Sequence, residues 1–158
     1  GREELLGPTA EQLGFNFLPR VDVPEISTGG SISAHEERIA AELHDLLADA
    51  GSFSVVSTMA PVFYGLGVTL FCEFDNPLDH IAAGDVLRQS PGIMLMDERA
   101  RPPVSLREVV GSDATFVGRL RNDPTVENGL VMWVAVDNIR KGSATNMVQV
   151  AELAARKL

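Results

Sequence analysis

The sequence predicts an α+β domain, with a mixed, largely antiparallel sheet and helices packed on one face. Strand patterns follow one another and are interrupted by helices, where an α/β chain would alternate strictly between the two. Residues 129–136 are apolar at successive positions, the pattern of a strand covered on both faces. Asn122-Asp123-Pro124 and Glu127-Asn128-Gly129 supply turn chemistry between the last two strands, so these are expected to form a hairpin.

Taken in order, residues 15–18 suit a short strand, and residues 22–32 form a loop rich in Gly, Ser and Pro. Residues 33–50 read as a helix. Ser33 and Glu36 have the spacing of a capping box, Ile39, Leu43, Leu46 and Leu47 share one face, and Gly51 ends it. Residues 53–59 and 68–74 alternate and read as strands joined by residues 60–67. A second helix is expected from Asn76, with Pro77 at its first position and Leu78, Ala82 and Val86, flanked by Ile81, on its core side. A short strand over 93–96 and a proline-containing excursion over 99–112 lead to the strands 115–121 and 129–136. In the closing helix Met147, Val150, Ala151, Ala154 and Leu158 line one stripe.

Length and composition fit one domain over residues 1–158: 45% hydrophobic residues are enough for one core. A net charge of −9 argues against nucleic-acid binding, which needs clustered Lys and Arg. The single cysteine, Cys72, cannot form an internal disulfide, and no long apolar run is present, so a cytoplasmic setting without a membrane role is expected. Cys72 lies mid-strand among Leu70, Phe71 and Phe74, the setting of a small buried hydrophobe. His35, His44 and His80 lack the three- or four-residue spacing of metal ligands, and no calcium-loop pattern is present, so no metal site is expected. Neither Gly29-Gly30 nor Gly65-Leu66-Gly67 has the spacing of a phosphate-cradling loop.

One segment combines features suited to an anionic ligand. After the strand 129–136 come Asp137, Asn138, Arg140, Lys141 and Gly142, and then a helix, which brings a cation, amides and a helix N-terminus to one place. An ordinary strand-to-helix turn, with Gly142 taking a glycine-favoring conformation, would read the same way.

The segment Asp137-Asn138-Ile139-Arg140-Lys141-Gly142-Ser143-Ala144-Thr145-Asn146-Met147-Val148-Gln149-Val150-Ala151-Glu152 closely resembles the final segment of aspartate-semialdehyde dehydrogenases. Thr115-Phe116-Val117-Gly118-Arg119-Leu120-Arg121-Asn122-Asp123 and Ala60-Pro61-Val62-Phe63-Tyr64-Gly65 resemble two further family segments. The opening Gln12-Leu13-Gly14-Phe15-Asn16-Phe17-Leu18-Pro19 is most similar to the family's Usg-type relatives. The resemblance spans nearly the whole chain. It implies the C-terminal substrate-binding and dimerisation domain, with the fold shared by the C-terminal domains of aspartate-semialdehyde and glyceraldehyde-3-phosphate dehydrogenases. It also implies homodimerisation through the sheet face and an N-terminal nucleotide-binding domain outside this chain. The start Gly1-Arg2-Glu3-Glu4-Leu5-Leu6 reads as a helix already under way, in keeping with a piece of a longer protein.

For the full-length family the resemblance implies an NADP-dependent reaction in amino-acid biosynthesis, using a cysteine nucleophile, a histidine acid–base and a carboxylate-binding arginine. The histidine position holds Leu66 and the arginine position Met59. Leucine moves no proton and methionine offers no paired N–H donors, so a catalytically impaired relative is expected. Glu36 matches a glutamate that approaches the substrate amine, and is also a capping-box acid. Arg119 is a candidate for the substrate carboxylate, and Asn138 with Lys141 for the cofactor. No cofactor is expected in this domain by itself. The competing expectations are a domain of an active NADP-dependent aspartate-semialdehyde dehydrogenase and a non-catalytic metabolite-binding module.

Overall fold

A computed structural model describes residues 12–19, 33–47, 51–96 and 105–156. The expected loop over 22–32, the end of the first helix at 48–50, residues 99–104 of the proline-containing excursion and Leu158 lie outside these residues. The chain divides into two compact units, Gly1–Val62 and Phe63–Leu158.

In the first unit, helix α1 spans Ala34–Leu46. Ser33 Oγ accepts the Glu36 amide at 3.2 Å and Glu36 Oε2 accepts the Ser33 amide at 3.0 Å, which forms the expected capping box. The two strands expected on either side of α1 reduce to one antiparallel bridge, in which Leu18 and Met59 exchange two backbone hydrogen bonds of 2.9 Å. Phe15 sits in a turn with φ +59°. Residues 53–59 keep the alternating exposure of extended chain. Alternation sets the local conformation, but a strand also needs a neighbor with which to pair its amides and carbonyls, and among the described residues only Met59 has one.

The second unit holds a four-stranded sheet in the order β1-β4-β3-β2. Its strands are β1 (Leu66–Glu73), β2 (Ile93–Leu95), β3 (Thr115–Asn122) and β4 (Gly129–Val136). β4 is antiparallel to both β1 and β3, while β2 runs parallel to β3, so the sheet is mixed and largely antiparallel as the sequence predicts. The β3–β4 hairpin forms because Asp123 Oδ1 accepts both the amide and the hydroxyl of Thr125, at 2.9 and 2.7 Å. Gly129 is required at the far side of that turn, where a Cβ would collide with Val126 and Asp123.

Helix α2 spans His80–Gln89, starting later than expected from Asn76-Pro77. Asp79 caps it, its Oδ1 accepting the amides of Ile81 and Ala82 at 2.9 and 2.8 Å, so the chain enters the helix at the residue that satisfies the orphan donors. The expected core stripe is also corrected. Ala83 and Gly84 are buried whereas Val86 is 64% exposed. A Cβ on Gly84 would stand 3.4 Å from Leu95 and 3.6 Å from Leu120, so the helix turns its smallest residues to the sheet to come close to it.

α2 thus covers the β2–β3 half of one face. A one-turn helix, α3 (Leu106–Val109), lies on the other, where Val109 and Ala135 are fully buried among Met96, Leu106, Phe116 and Trp133. Gly67 makes room for the Trp133 ring, since any Cβ there would overlap the indole. After β4 comes a π-helical turn, Arg140–Ala144, and then helix α4, Thr145–Ala155, which has no buried residue.

Candidate functional site

The end of β4 is held by two carboxylates. Asp137 is 5% exposed, and its Oδ1 accepts the amides of Ile139 and Arg140, each at 2.9 Å, while Oδ2 accepts that of Gly111 at 2.8 Å. These bonds, foremost that from Arg140, hold the carboxyl below its usual range. Asp113 receives a paired contact from Arg140, Nε to Oδ1 at 2.9 Å and Nη2 to Oδ2 at 2.7 Å, and a 2.6 Å bond from the Thr145 hydroxyl. Those bonds lower the Asp113 carboxyl to about 2. Together the two acids tie the π-helical turn to residues 111–113. Sequence reasoning included Asp137 in the motif without giving it this role. The available signal was an Asp at a strand end just before a helical segment, the composition of a side chain that caps free amides.

The two residues expected to contact a cofactor have different hydrogen-bond partners. Asn138 Oδ1 accepts the Gly65 amide at 2.8 Å and so ties the start of β1 to the end of β4. Lys141 Nζ instead donates to Gln149 on α4 at 2.6 Å. Leu66, expected on a connecting loop, is the first residue of β1, paired with Val136 and 51% exposed. It is joined in register to the strand whose end carries Asp137 and Asn138.

Arg119 occupies a β-bulge, where the register between β3 and β4 shifts between Gly118 and Arg121. Its φ of +53° is unusual outside glycine. Its side chain is exposed, and the Arg121 guanidinium donates to the Arg119 carbonyl at 3.2 Å. Periodicity shows strands but not the extra residue of a bulge, so the sequence did not reveal this strained position.

In the first unit, Met59 forms the bridge to Leu18. Glu36 Oε1 accepts the Ser57 amide at 2.6 Å, so both its oxygens are engaged by backbone donors. Cys72 is half-buried in β1, and burial raises its thiol, as suits an unreactive side chain. Among the described residues no group of three or more His, Cys, Asp or Glu could hold a metal ion, and no helix is long and apolar enough to cross a membrane.

The family model described as "Semialdehyde dehydrogenase, dimerisation domain" matches residues 7–141. The chain belongs to the semialdehyde dehydrogenase dimerisation-domain family. It is 34% identical to an aspartate-semialdehyde dehydrogenase of Rickettsia bellii, over 90% of this chain and 41% of the relative. It is 35% identical to the Aquifex aeolicus enzyme of that name, over 90% of this chain and 42% of the relative. In structure it is similar to aspartate semialdehyde dehydrogenase II of Vibrio cholerae, solved complexed with ASA, with a TM-score of 0.83 and 35% identity over 92% of this chain and 43% of that one. This dimerisation-domain chain therefore spans less than half the length of these relatives.

Proposed function

We propose that this chain is the substrate-side and dimerisation domain of an aspartate-semialdehyde dehydrogenase-like protein and that it pairs with a second copy through the open half of its sheet. The observation that carries this reading is the β1 face. Leu66, Val68, Leu70 and Phe74 are all exposed, and they continue an apolar surface formed by Met132, Val134 and Val136 on β4. α2 contacts β2 and β3, the other half of the sheet. A contiguous apolar patch on a sheet face marks an interaction surface. Sedimentation equilibrium of the chain is expected to give a dimer. Val68→Glu, which leaves an unpaired charge in the interface, is expected to give a folded monomer by circular dichroism. A wild-type monomer at high concentration overturns the reading.

In this proposal the parent protein carries a separate nucleotide-binding domain, and Asn138 contacts an NADP-type cofactor bound there. The domain is placed with the Usg-type branch and the parent is impaired in catalysis, because Leu66 and Met59 stand where the resemblance implies an imidazole and a guanidinium. Glu36 supports its capping role better than a substrate role, since both oxygens already accept amides. A second reading, an active enzyme with Arg119 as its carboxylate-binding group, draws support from the strained, exposed bulge that presents this arginine. An assay of the full-length parent with aspartate semialdehyde, phosphate and NADP separates the two. No turnover is expected. Turnover that Arg119→Ala abolishes supports the second reading.

A further inference from the structure

We propose that the groove between α4 and the Pro91-Gly92 turn binds a small organic anion, a carboxylate or phosphate on a compact apolar body. The groove has a volume of about 360 Å³, within the size range of small-molecule sites. Lys141 and Arg156 supply two cations to its lining, against one acid, Glu152. The Lys141 ammonium uses one of its three donors on the neutral Gln149 side chain, which leaves its charge and two donors for a ligand. Arg156 has no side-chain hydrogen bond or ion pair among the described residues. Asn146 and the free amide group of Gln149 add neutral donors, and Pro91, Val150 and Leu153 form apolar wall.

Two features of the backbone keep the space beside the ammonium open. Gly92 has φ +76°, a conformation suited to glycine, and a Cβ there would meet only Lys141 Nζ, at 3.7 Å. The π-helical turn then sets the direction of the lysine. In an unbroken α-helix two side chains eight positions apart lie about 80° apart around the axis. The wider turn over Arg140–Ala144 takes up much of that angle, so Lys141 reaches Gln149. The chain as a whole is acidic, but at physiological salt charges beyond about 8 Å are largely screened and the two local cations govern the groove.

This site is separate from the proposed sheet-face dimer and from Asn138, so it can fail without them. NMR titration of the full chain with inorganic phosphate, and separately with butyrate, tests it. Saturable shifts are expected at the Gly92 amide and the side-chain amides of Asn146 and Gln149. Binding is expected to weaken about tenfold or more in Lys141→Met and in Arg156→Gln. Arg88→Gln, on α2 and paired with Asp85, is expected to leave it unchanged. The probe that saturates at the lower concentration identifies the headgroup. Shifts that stay linear with both probes, or that persist in folded Lys141→Met and Arg156→Gln, overturn the proposal.

Discussion

Leu130 shows how one side chain sets the position of a strand. It is 1% exposed, beside Cys72 of β1 in register and Asn122 of β3, and is one of the largest fully buried side chains among the described residues. Leu130→Ala is expected to lower stability by about 2–5 kcal/mol, seen as a lower urea midpoint with an unchanged slope. Its burial was legible, because an apolar residue inside an uninterrupted apolar strand has few other places to go. Arg119 and Asp137 were not legible in the same way. A bulge depends on the register of the partner strand, and the worth of a carboxylate depends on which amides the folded chain brings to it.

The turn between β4 and α4 is where charge acts at the scale of an element. Asp113 titrates at about 2 in the folded chain against an ordinary 3.8, a depressed value. Its bonds to Arg140 and Thr145 therefore contribute stability that is complete above the ordinary value and is lost as pH falls from about 4 through 2. Asp137, shifted in the same direction, adds to that acid limb. The hydrogen-exchange protection of residues 139–145, taken relative to the intrinsic amide exchange rate at each pH, is expected to fall through this window. Asp113→Asn, which removes the ionizable group, is expected to bring faster exchange already at neutral pH and a flatter response to acid. Identical pH profiles for the two proteins would show that the pair does not hold the turn.

Elements bounded by strong local signals came out as read. β4 begins at Gly129 after the Asp123–Thr125 turn and ends at Val136 before Asp137, and α1 starts at its capping box. Elements that depend on a partner did not. The segment 53–59 alternates as a strand should, but only Met59 finds a pairing partner among the described residues. α2 is apolar on more than one side, and close approach at Gly84 selected its buried face over the stripe of larger residues.

For the whole molecule, the distribution of apolar surface is the main clue to assembly. β1 is an edge strand whose large side chains remain exposed, and α4 carries Met147, Val148, Val150 and Leu153 without burying any of them. Surfaces of this kind usually meet another surface in the working protein. The dimer expected through β1 and β4 is apolar, so raising the salt concentration is expected to leave it intact, whereas Val68→Glu is expected to dissociate it. A salt-sensitive dimer would place the contact elsewhere on this acidic chain.

The α+β class, the final hairpin, the cap of α1 and the family are legible in the amino-acid order, because local periodicity, turn chemistry and motif order are written along the chain. The folded chain adds that Asn138 and Lys141 have different hydrogen-bond partners, that Arg119 sits on a bulge, and that Asp113 and Asp137 fasten the turn between them. Apart from the Lys141–Gln149 bond, which spans eight positions, these features depend on strand register or on hydrogen bonds between residues far apart in sequence, and no local pattern encodes that meeting.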